Sequence, residues 1–383
     1  MKRLIKNCLV YRNSSRSFLP MDILTDGEYI SALGERGSLD GQDAEIIDAK
    51  GARLTSGLID VHTHGICGVD FINADSEGLA LASRGYILHG VTTVMPTLAS
   101  APLDVMLNAA RSVCNFKADT GADFCGVHIE GRYLNPTKKG AHATEYLSAL
   151  DADELSLFEA LKPLALHISA ALELDTSREF VSKAREIGAT LALGHTAVTF
   201  FEASELEKNG VSAYAHLFNA MPPLHHREGG AAAACLLGKA YGEIICDGIH
   251  ISPEMVALAY RMKGERLTLI SDSMEATDCP DGNYSIAGNA VTVKDKIART
   301  LDGALAGSTL TLDKAIKNLM LFCNIPLEDA IISATEAPAR EVGIFDKYGS
   351  LDVGKRADIL FISAEEFKIN SVMKSGRAPI GLD

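Results

Sequence analysis

Two histidines, His62 and His64, stand two positions apart in the stretch Leu54-Thr-Ser-Gly-Leu-Ile-Asp-Val-His-Thr-His-Gly65. Leu58–Val61 reads as a short buried strand entered through Gly57 and left through Gly65. Side chains two apart on a strand point to the same side, so both imidazoles can reach one point in space, as a metal site requires. A single pair of this kind is also what a chain shows when it merely leaves a strand for a loop. Residues of the same chemical type recur, however: His128-Ile-Glu130, Gly194-His195, His216 followed by Asn219, Asp247-Gly-Ile-His250, and Ser271-Asp272. Neutral imidazole and carboxylate together are suitable ligands for zinc or ferrous iron.

These residues need elements to hold them. From Leu54 onward, short apolar runs alternate with stretches of helical character. The runs are Leu58–Val61, Val91–Met95, Phe124–Ile129, Leu164–Ile168, Thr190–Leu193, Ala213–Leu217, Glu243–Cys246 and Leu267–Ile270. Helices are expected at Ser76–His89, Pro102–Phe116, Ala152–Leu161, Ser177–Ile187, Phe200–Asn209 and Pro253–Met262. Such alternation argues for a parallel sheet, and eight units fit a TIM-type (β/α)₈ barrel, whose reactive groups gather where the strands end. Six of the eight runs end in the residues above. The second ends in Met95-Pro96 and the fourth continues into Ser169–Glu173, neither with a clear ligand.

The flanks differ. Ile5–Tyr11, Met21–Leu24, Tyr29–Leu33 and Ala44–Asp48 read as short strands broken by turns. After the barrel, Ser308–Cys323 reads as an amphipathic helix capped by Ser308 or Thr309, and Leu327–Ala334 as a second, short one. Gly349–Gly354 and Ala357–Ile362 return to strand character. The expected organisation is a barrel over 54–344, with 1–53 and 345–383 joining in one small, discontinuous β-sandwich domain.

Composition narrows the partners. The 383 residues carry 36 basic and 50 acidic side chains, a net charge of −14, which argues against nucleic acid or an anionic membrane surface as the main partner. It leaves room for a small anionic ligand, because distant charge is screened over about 8–10 Å. Apolar content is 47% and charged content 22%, ordinary for a globular protein. No run approaches the roughly 20 apolar residues of a membrane span. The eight cysteines are scattered without a Cys-x-x-Cys, so reduced thiols in the cytoplasm are the expected state. Cys67 reads as a small buried hydrophobe.

Taken together, the motifs resemble the N-acetylglucosamine-6-phosphate deacetylases of the amidohydrolase superfamily. The matching pieces are His62-Thr-His64, His128-Ile-Glu-Gly131, Lys139-Gly-Ala-His142, Gly194-His195, His216-Leu-Phe-Asn-Ala-Met-Pro-Pro-Leu224 with Arg227, Asp247-Gly-Ile-His250, Ser271-Asp272 and Leu305-Ala-Gly-Ser308. The resemblance implies roles. Glu130, His195 and His216 match the principal metal ligands, and His62 and His64 the pair that holds a second ion in those members that have one. Asp272 matches the catalytic acid/base. His142 and His250 match substrate-contacting histidines, His142 near the amide carbonyl. Arg227, with the backbone around Asn219 and Ala220, matches the phosphate-binding group.

The implied activity is removal of the acetyl group from N-acetylglucosamine 6-phosphate. The implied cofactor is one or two divalent ions, zinc first, with iron or manganese as alternatives. An amide is a poor electrophile and water a poor nucleophile, and a bound divalent ion addresses both. Asp272 would carry the proton, His142 would donate to the developing oxyanion and Arg227 would grip the phosphate through its planar fork. A homodimer is expected by resemblance alone. The sequence departs from the family at Arg132, where Pro is usual; at Gly229-Gly230, where Pro-Gly is common; and at Ser273, where Ala is common.

Three alternatives stay open here. One is a deacetylase of another amino-sugar phosphate, N-acetylgalactosamine 6-phosphate. Another is a cyclic-amide hydrolase, a type that typically bridges two metals with a carbamylated lysine at the fourth strand; that strand here lacks a lysine. The third is a metal-binding scaffold without turnover, for which Asp272 would be superfluous.

Overall fold

The computed structural model describes residues 1–161, 164–363 and 366–382. All eight expected runs contribute strands: Leu58–Thr63, Val91–Leu98, Gly126–Glu130, Ala165–Ala170, Thr190–Leu193, Val211–Tyr214, Tyr241–Ile245 and Leu267–Ile270. They pair in parallel and in chain order. The eighth meets the first through backbone hydrogen bonds, Asp272 N to His62 O at 2.9 Å and His64 N to Ser273 O at 2.8 Å, which close the barrel. Strands covered on both faces need apolar side chains on both, which is why they are legible as continuous runs.

Some boundaries move. The third run is two pieces, Asp123–Phe124 and Gly126–Glu130. The sixth strand stops at Tyr214, so His216 lies in the turn beyond it. The expected helices appear at Ser76–Leu88, Leu103–Asn115, Glu179–Glu186, Phe200–Lys208 and Pro253–Lys263, with Ala152–Ser156 continued by a 3₁₀ turn. Phe200–Lys208 opens with a reciprocal capping box between Thr199 and Glu202.

Two expectations are corrected. The helix after the barrel runs from Leu312 to Cys323, and neither Ser308 nor Thr309 caps it. Both hydroxyls are used elsewhere: Ser308 Oγ donates to Ser271 O at 2.6 Å and Thr309 Oγ1 to Lys296 O at 2.7 Å. Gly349–Gly354 is a loop rather than a strand. Among the elements that were not expected are the helix Gly230–Leu237 and a three-stranded antiparallel insertion, Gly282–Ile286, Asn289–Lys294 and Ile297–Thr300. Ile286, Val291, Val293 and Ala298 of this insertion form a small core with Ala99 and Met274, seating it on the barrel.

Strands from both ends of the chain share one mixed sheet of eight strands. Arg53–Ser56 runs antiparallel to Ile359–Ile362 and parallel to Leu9–Val10. Ile5, Ile23, Leu54, Ile359 and Met373 are among the residues of its separate core. A partly buried ion cluster fastens this sheet to the barrel: Lys374 Nζ reaches Asp123 Oδ2 at 2.7 Å and Asp358 at 3.0 Å, and Arg356 joins Asp123 at 3.0 Å. Among the described residues no helix is long and apolar enough to cross a membrane.

His89, at the end of the first helix, illustrates a histidine with a structural job. Its Nε2 donates to Asp278 and its Nδ1 to Asp313, so both nitrogens carry protons. Burial opposes that charge, but the two aspartates win and raise its pKa to about 9. The unfolded imidazole titrates near 6.5, so the pair's contribution is fully present below about pH 6.5 and is lost as pH rises through about 9. His89→Gln is expected to destabilise the protein by about 1–2 kcal/mol at pH 6, discounted for partial exposure, and by much less at pH 9.5. Urea melts of both proteins at the two pH values check this; an equal difference at both would refute it.

Candidate active site

Five of the eight strand ends deliver these groups. His62 and His64 leave the first strand buried. Glu130 ends the third strand, 2% exposed. His195, His216 and Asp272 follow the fifth, sixth and eighth strands, all three with positive φ (46°, 29° and 47°) although none is glycine. Such backbone costs on the order of 1–3 kcal/mol per residue and persists where the surroundings over-determine it.

The six side chains meet around the two oxygens of Glu130. On one side, Glu130 Oε2 lies 3.1 Å from His62 Nε2 and 3.0 Å from His64 Nε2, and His64 Nε2 lies 3.3 Å from Asp272 Oδ1. On the other, Glu130 Oε1 lies 2.8 Å from His216 Nε2 and 3.3 Å from His195 Nε2, and these two ring nitrogens are 3.1 Å apart. Bonds of about 2.0–2.2 Å at tetrahedral or octahedral angles place ligand atoms roughly 3.0–3.5 Å apart, so both groups have the spacing of a coordination shell.

The electrostatics agree. Burial pushes against charge throughout, yet Glu130 is held well below the usual carboxylate range by His62, His195 and His216. Asp272 is likewise lowered by His64 and His62. His62 is raised well above the ordinary imidazole value by Glu130 and Glu243, and His64 to about 9 by Asp272 and Glu130. The carboxylates therefore call for positive charge where the Nε2 atoms converge, and a divalent cation fits that demand and the donor set.

Neighbouring loops fix the rings. His195 Nδ1 donates to Lys138 O at 2.7 Å, so its Nε2 faces Glu130. Gly140, in the left-handed region at φ 56°, passes so close that a Cβ there would lie 3.0 Å from His195 Cε1. Glu173, after the fourth strand, accepts from Thr196 Oγ1 and Ala197 N at 2.8 Å and from Asn135 Nδ2 at 3.0 Å, tying down the loop behind His195. His142 Nδ1 receives the Ser100 hydroxyl at 2.8 Å and the Ser100 N–H at 3.4 Å, which leaves its proton on Nε2. Burial and the charge of His195 drop its pKa to about 3, so it is neutral. His250 Nδ1 donates to Asp247 Oδ2 at 2.7 Å.

The groups border a cavity of about 220 Å³ whose wall includes His142, His250, Asn219 and Ala220, along with Ile286 and Ala287 of the antiparallel insertion. The structure thus brings together every candidate site residue but one: Arg227 lies exposed on its loop, outside the cavity wall, with Nη1 2.7 Å from His226 Nε2. His128 does not join the shell either. It sits deeper in the barrel between Thr97 Oγ1 at 3.0 Å and Ser169 Oγ at 2.8 Å, and burial holds its pKa well below normal. Arg132 pairs with Glu154 at 2.6 Å and not with the cavity. Ser273 Oγ donates to Gly65 O at 2.9 Å and meets Thr63 Oγ1 at 2.7 Å, bracing the first strand. Ser100, Glu173 and Glu243 were not singled out from sequence; a charged residue inside a buried run, as Glu243 is, was the available signal.

The chain belongs to the amidohydrolase family, whose family model matches residues 53–378. Within that family it is similar to deacetylases of phosphorylated amino sugars. The N-acetylglucosamine-6-phosphate deacetylase of Vibrio furnissii is 34% identical over 345 residues, covering 89% of this chain and 86% of the relative. The N-acetylgalactosamine-6-phosphate deacetylase of Escherichia coli O157:H7 is 32% identical over 331 residues, 85% of this chain and 86% of that one. A Mycobacterium smegmatis N-acetyl-D-glucosamine-6-phosphate deacetylase variant, solved in complex with N-acetyl-D-glucosamine-6-phosphate, superposes with a TM-score of 0.86 at 27% identity over 98% of both chains.

Proposed function

We propose that the protein hydrolyses the acetamide of N-acetylglucosamine 6-phosphate to glucosamine 6-phosphate and acetate. The observation that carries this reading is the convergence of His64, Glu130, His195, His216 and the ionised Asp272 on a single small cavity, with His62 behind them against Glu130, in a chain so similar to deacetylases of that sugar. Glu130, His195 and His216 would hold a divalent ion, zinc in our assignment, and His62 and His64 a second beside the other oxygen of Glu130. When bound, such an ion acidifies water and polarises a carbonyl.

The chain's own groups account for the rest. Asp272, held ionised in the site, accepts a proton from the attacking water and passes it to the amine nitrogen, which must leave protonated. His142, neutral and protonated on Nε2, donates to the oxygen that gains charge. His250 on the cavity wall contacts the sugar, and the backbone around Asn219 and Ala220, also on that wall, shares the phosphate with Arg227. We assign the phosphate to Arg227, whose fork suits it, on the exposed loop outside the cavity. Ser169, not lysine, stands near the end of the fourth strand, which disfavours the cyclic-amide reading. The Escherichia coli relative supports N-acetylgalactosamine 6-phosphate as the second reading. We place the protein in the cytoplasm as a homodimer, on its eight free cysteines and the family resemblance respectively.

Acetate release from N-acetylglucosamine 6-phosphate, its galactosamine isomer and unphosphorylated N-acetylglucosamine, with zinc, manganese or ferrous iron added, tests this. Turnover is expected with the phosphorylated sugars only, the glucosamine compound faster. Equal turnover of the unphosphorylated sugar would remove the role given to Arg227, and a faster galactosamine compound would reverse the choice of substrate.

A further inference from the structure

Glu243 lies in the seventh strand, fully buried beneath the site and absent from the cavity wall. A carboxylate in the interior of a parallel barrel is expensive unless its oxygens are paired. One of them is paired twice. Oε2 accepts from His62 Nδ1 at 2.8 Å and from the backbone N–H of His216 at 3.3 Å. Oε1 faces His167 Nε2 at 3.5 Å, and His167 is anchored by Thr190 Oγ1 at 2.7 Å. One side chain therefore links the first, fourth and sixth strand regions immediately under Glu130.

We infer that Glu243 is a positioning residue: it fixes the tautomer and ring plane of His62 so that Nε2 presents its lone pair beside Glu130 Oε2, and it thereby sets the affinity of the ion held by His62 and His64. An ionised carboxylate can only accept, so a proton stays on His62 Nδ1, and an ion bound at Nε2 would take the place of the proton that faces Glu130 there. The same oxygen braces the backbone of His216 at φ 29°, although Leu217 N also donates to the Glu243 carbonyl at 2.8 Å, a bond that side-chain substitution leaves in place. Glu243 thus governs the ion at His62 and His64 more than the one at His195 and His216. This inference rests on the assignment of His62 to a second ion.

The test is a metal titration of the full-length chain and of Glu243→Ala and Glu243→Gln, using zinc and manganese, with bound ions counted by elemental analysis and folding checked by circular dichroism. Wild type is expected to bind two ions. Glu243→Ala is expected to bind the weaker one ~10–100-fold less tightly while keeping the other nearly unchanged. Glu243→Gln, whose amide oxygen still accepts from His62, is expected to recover most of that loss. If the alanine variant does not fold, the glutamine variant decides by itself, with a several-fold loss confined to one ion. A folded variant that binds both ions as wild type does, or a wild type that binds only one, overturns the inference. Acetate release is scored separately, so a protein without turnover but with the expected metal affinities fails the deacetylase reading and upholds the role of Glu243.

Discussion

Asp272→Asn is expected to lower kcat by ~10³–10⁴-fold while leaving the fold and the metal content close to wild type. The substitution is isosteric and keeps one oxygen beside His64, whose Nε2 is 3.3 Å from Asp272 Oδ1. The backbone bonds of residue 272, from its N–H to His62 O and from Ser308 N to its carbonyl, do not involve the side chain. What disappears is the proton acceptor, since an amide cannot take a proton from water near neutral pH. Because the same group must then protonate the amine nitrogen, both halves of the reaction fail together. Steady-state kinetics and elemental analysis of the same preparation decide the matter. Wild-type turnover in a variant with intact metal would remove Asp272 from the mechanism.

A second large effect is expected at Glu130. Its two oxygens face two different pairs of imidazoles, so Glu130→Gln replaces an oxygen by an amide nitrogen on one side and removes the charge that serves both. Metal content should fall for both ions, and turnover by ~10³-fold or more, because the several kcal/mol that a bound cation contributes to catalysis would go with it. A Glu130→Gln protein that retains two ions and turns over normally would show that the carboxylate is a bystander.

How far the sequence announced this arrangement depended on burial. Leu58–Val61 and Val91–Met95 were readable as strands because both of their faces are covered, so apolar and β-branched side chains dominate each run although Asp60, Thr92 and Thr93 are buried within them. The helix Gly230–Leu237 was not readable: its Ala-rich, largely buried surface presents no polar stripe, so nothing in Ala231–Ala234 marks a period. The antiparallel insertion did leave signs, in Pro280-Asp281-Gly282, Ala287-Gly288 and the alternation of Val291 and Val293 with polar neighbours. Those signs are weak beside the barrel strands, and the insertion supplies part of the cavity wall.

The site was legible for a different reason. The candidate site residues lie at strand ends, so locating the ends pointed to His62, His64, Glu130, His195 and Asp272. His128 fell into the same pattern because it shares a face with Glu130 two positions later. Depth along the barrel separates them, and periodicity carries no depth. The supporting groups Glu173 and Ser100 were silent because their importance lies in partners far along the chain, and Glu243 left only the sign of a charge inside a buried run.

The pairing of Arg53–Ser56 with Ile359–Ile362 joins residues some 300 positions apart. During synthesis, Ser56 emerges long before Ile359 exists, and its outer edge must wait, unpaired, while every barrel unit is made. The sheet at the ends of the chain is therefore the last part to close, and a nascent chain stalled inside the barrel would expose a sticky edge next to the strand that carries His62 and His64. Closure of this sheet beside the candidate site is in this sense tied to synthesis of Ile359–Ile362.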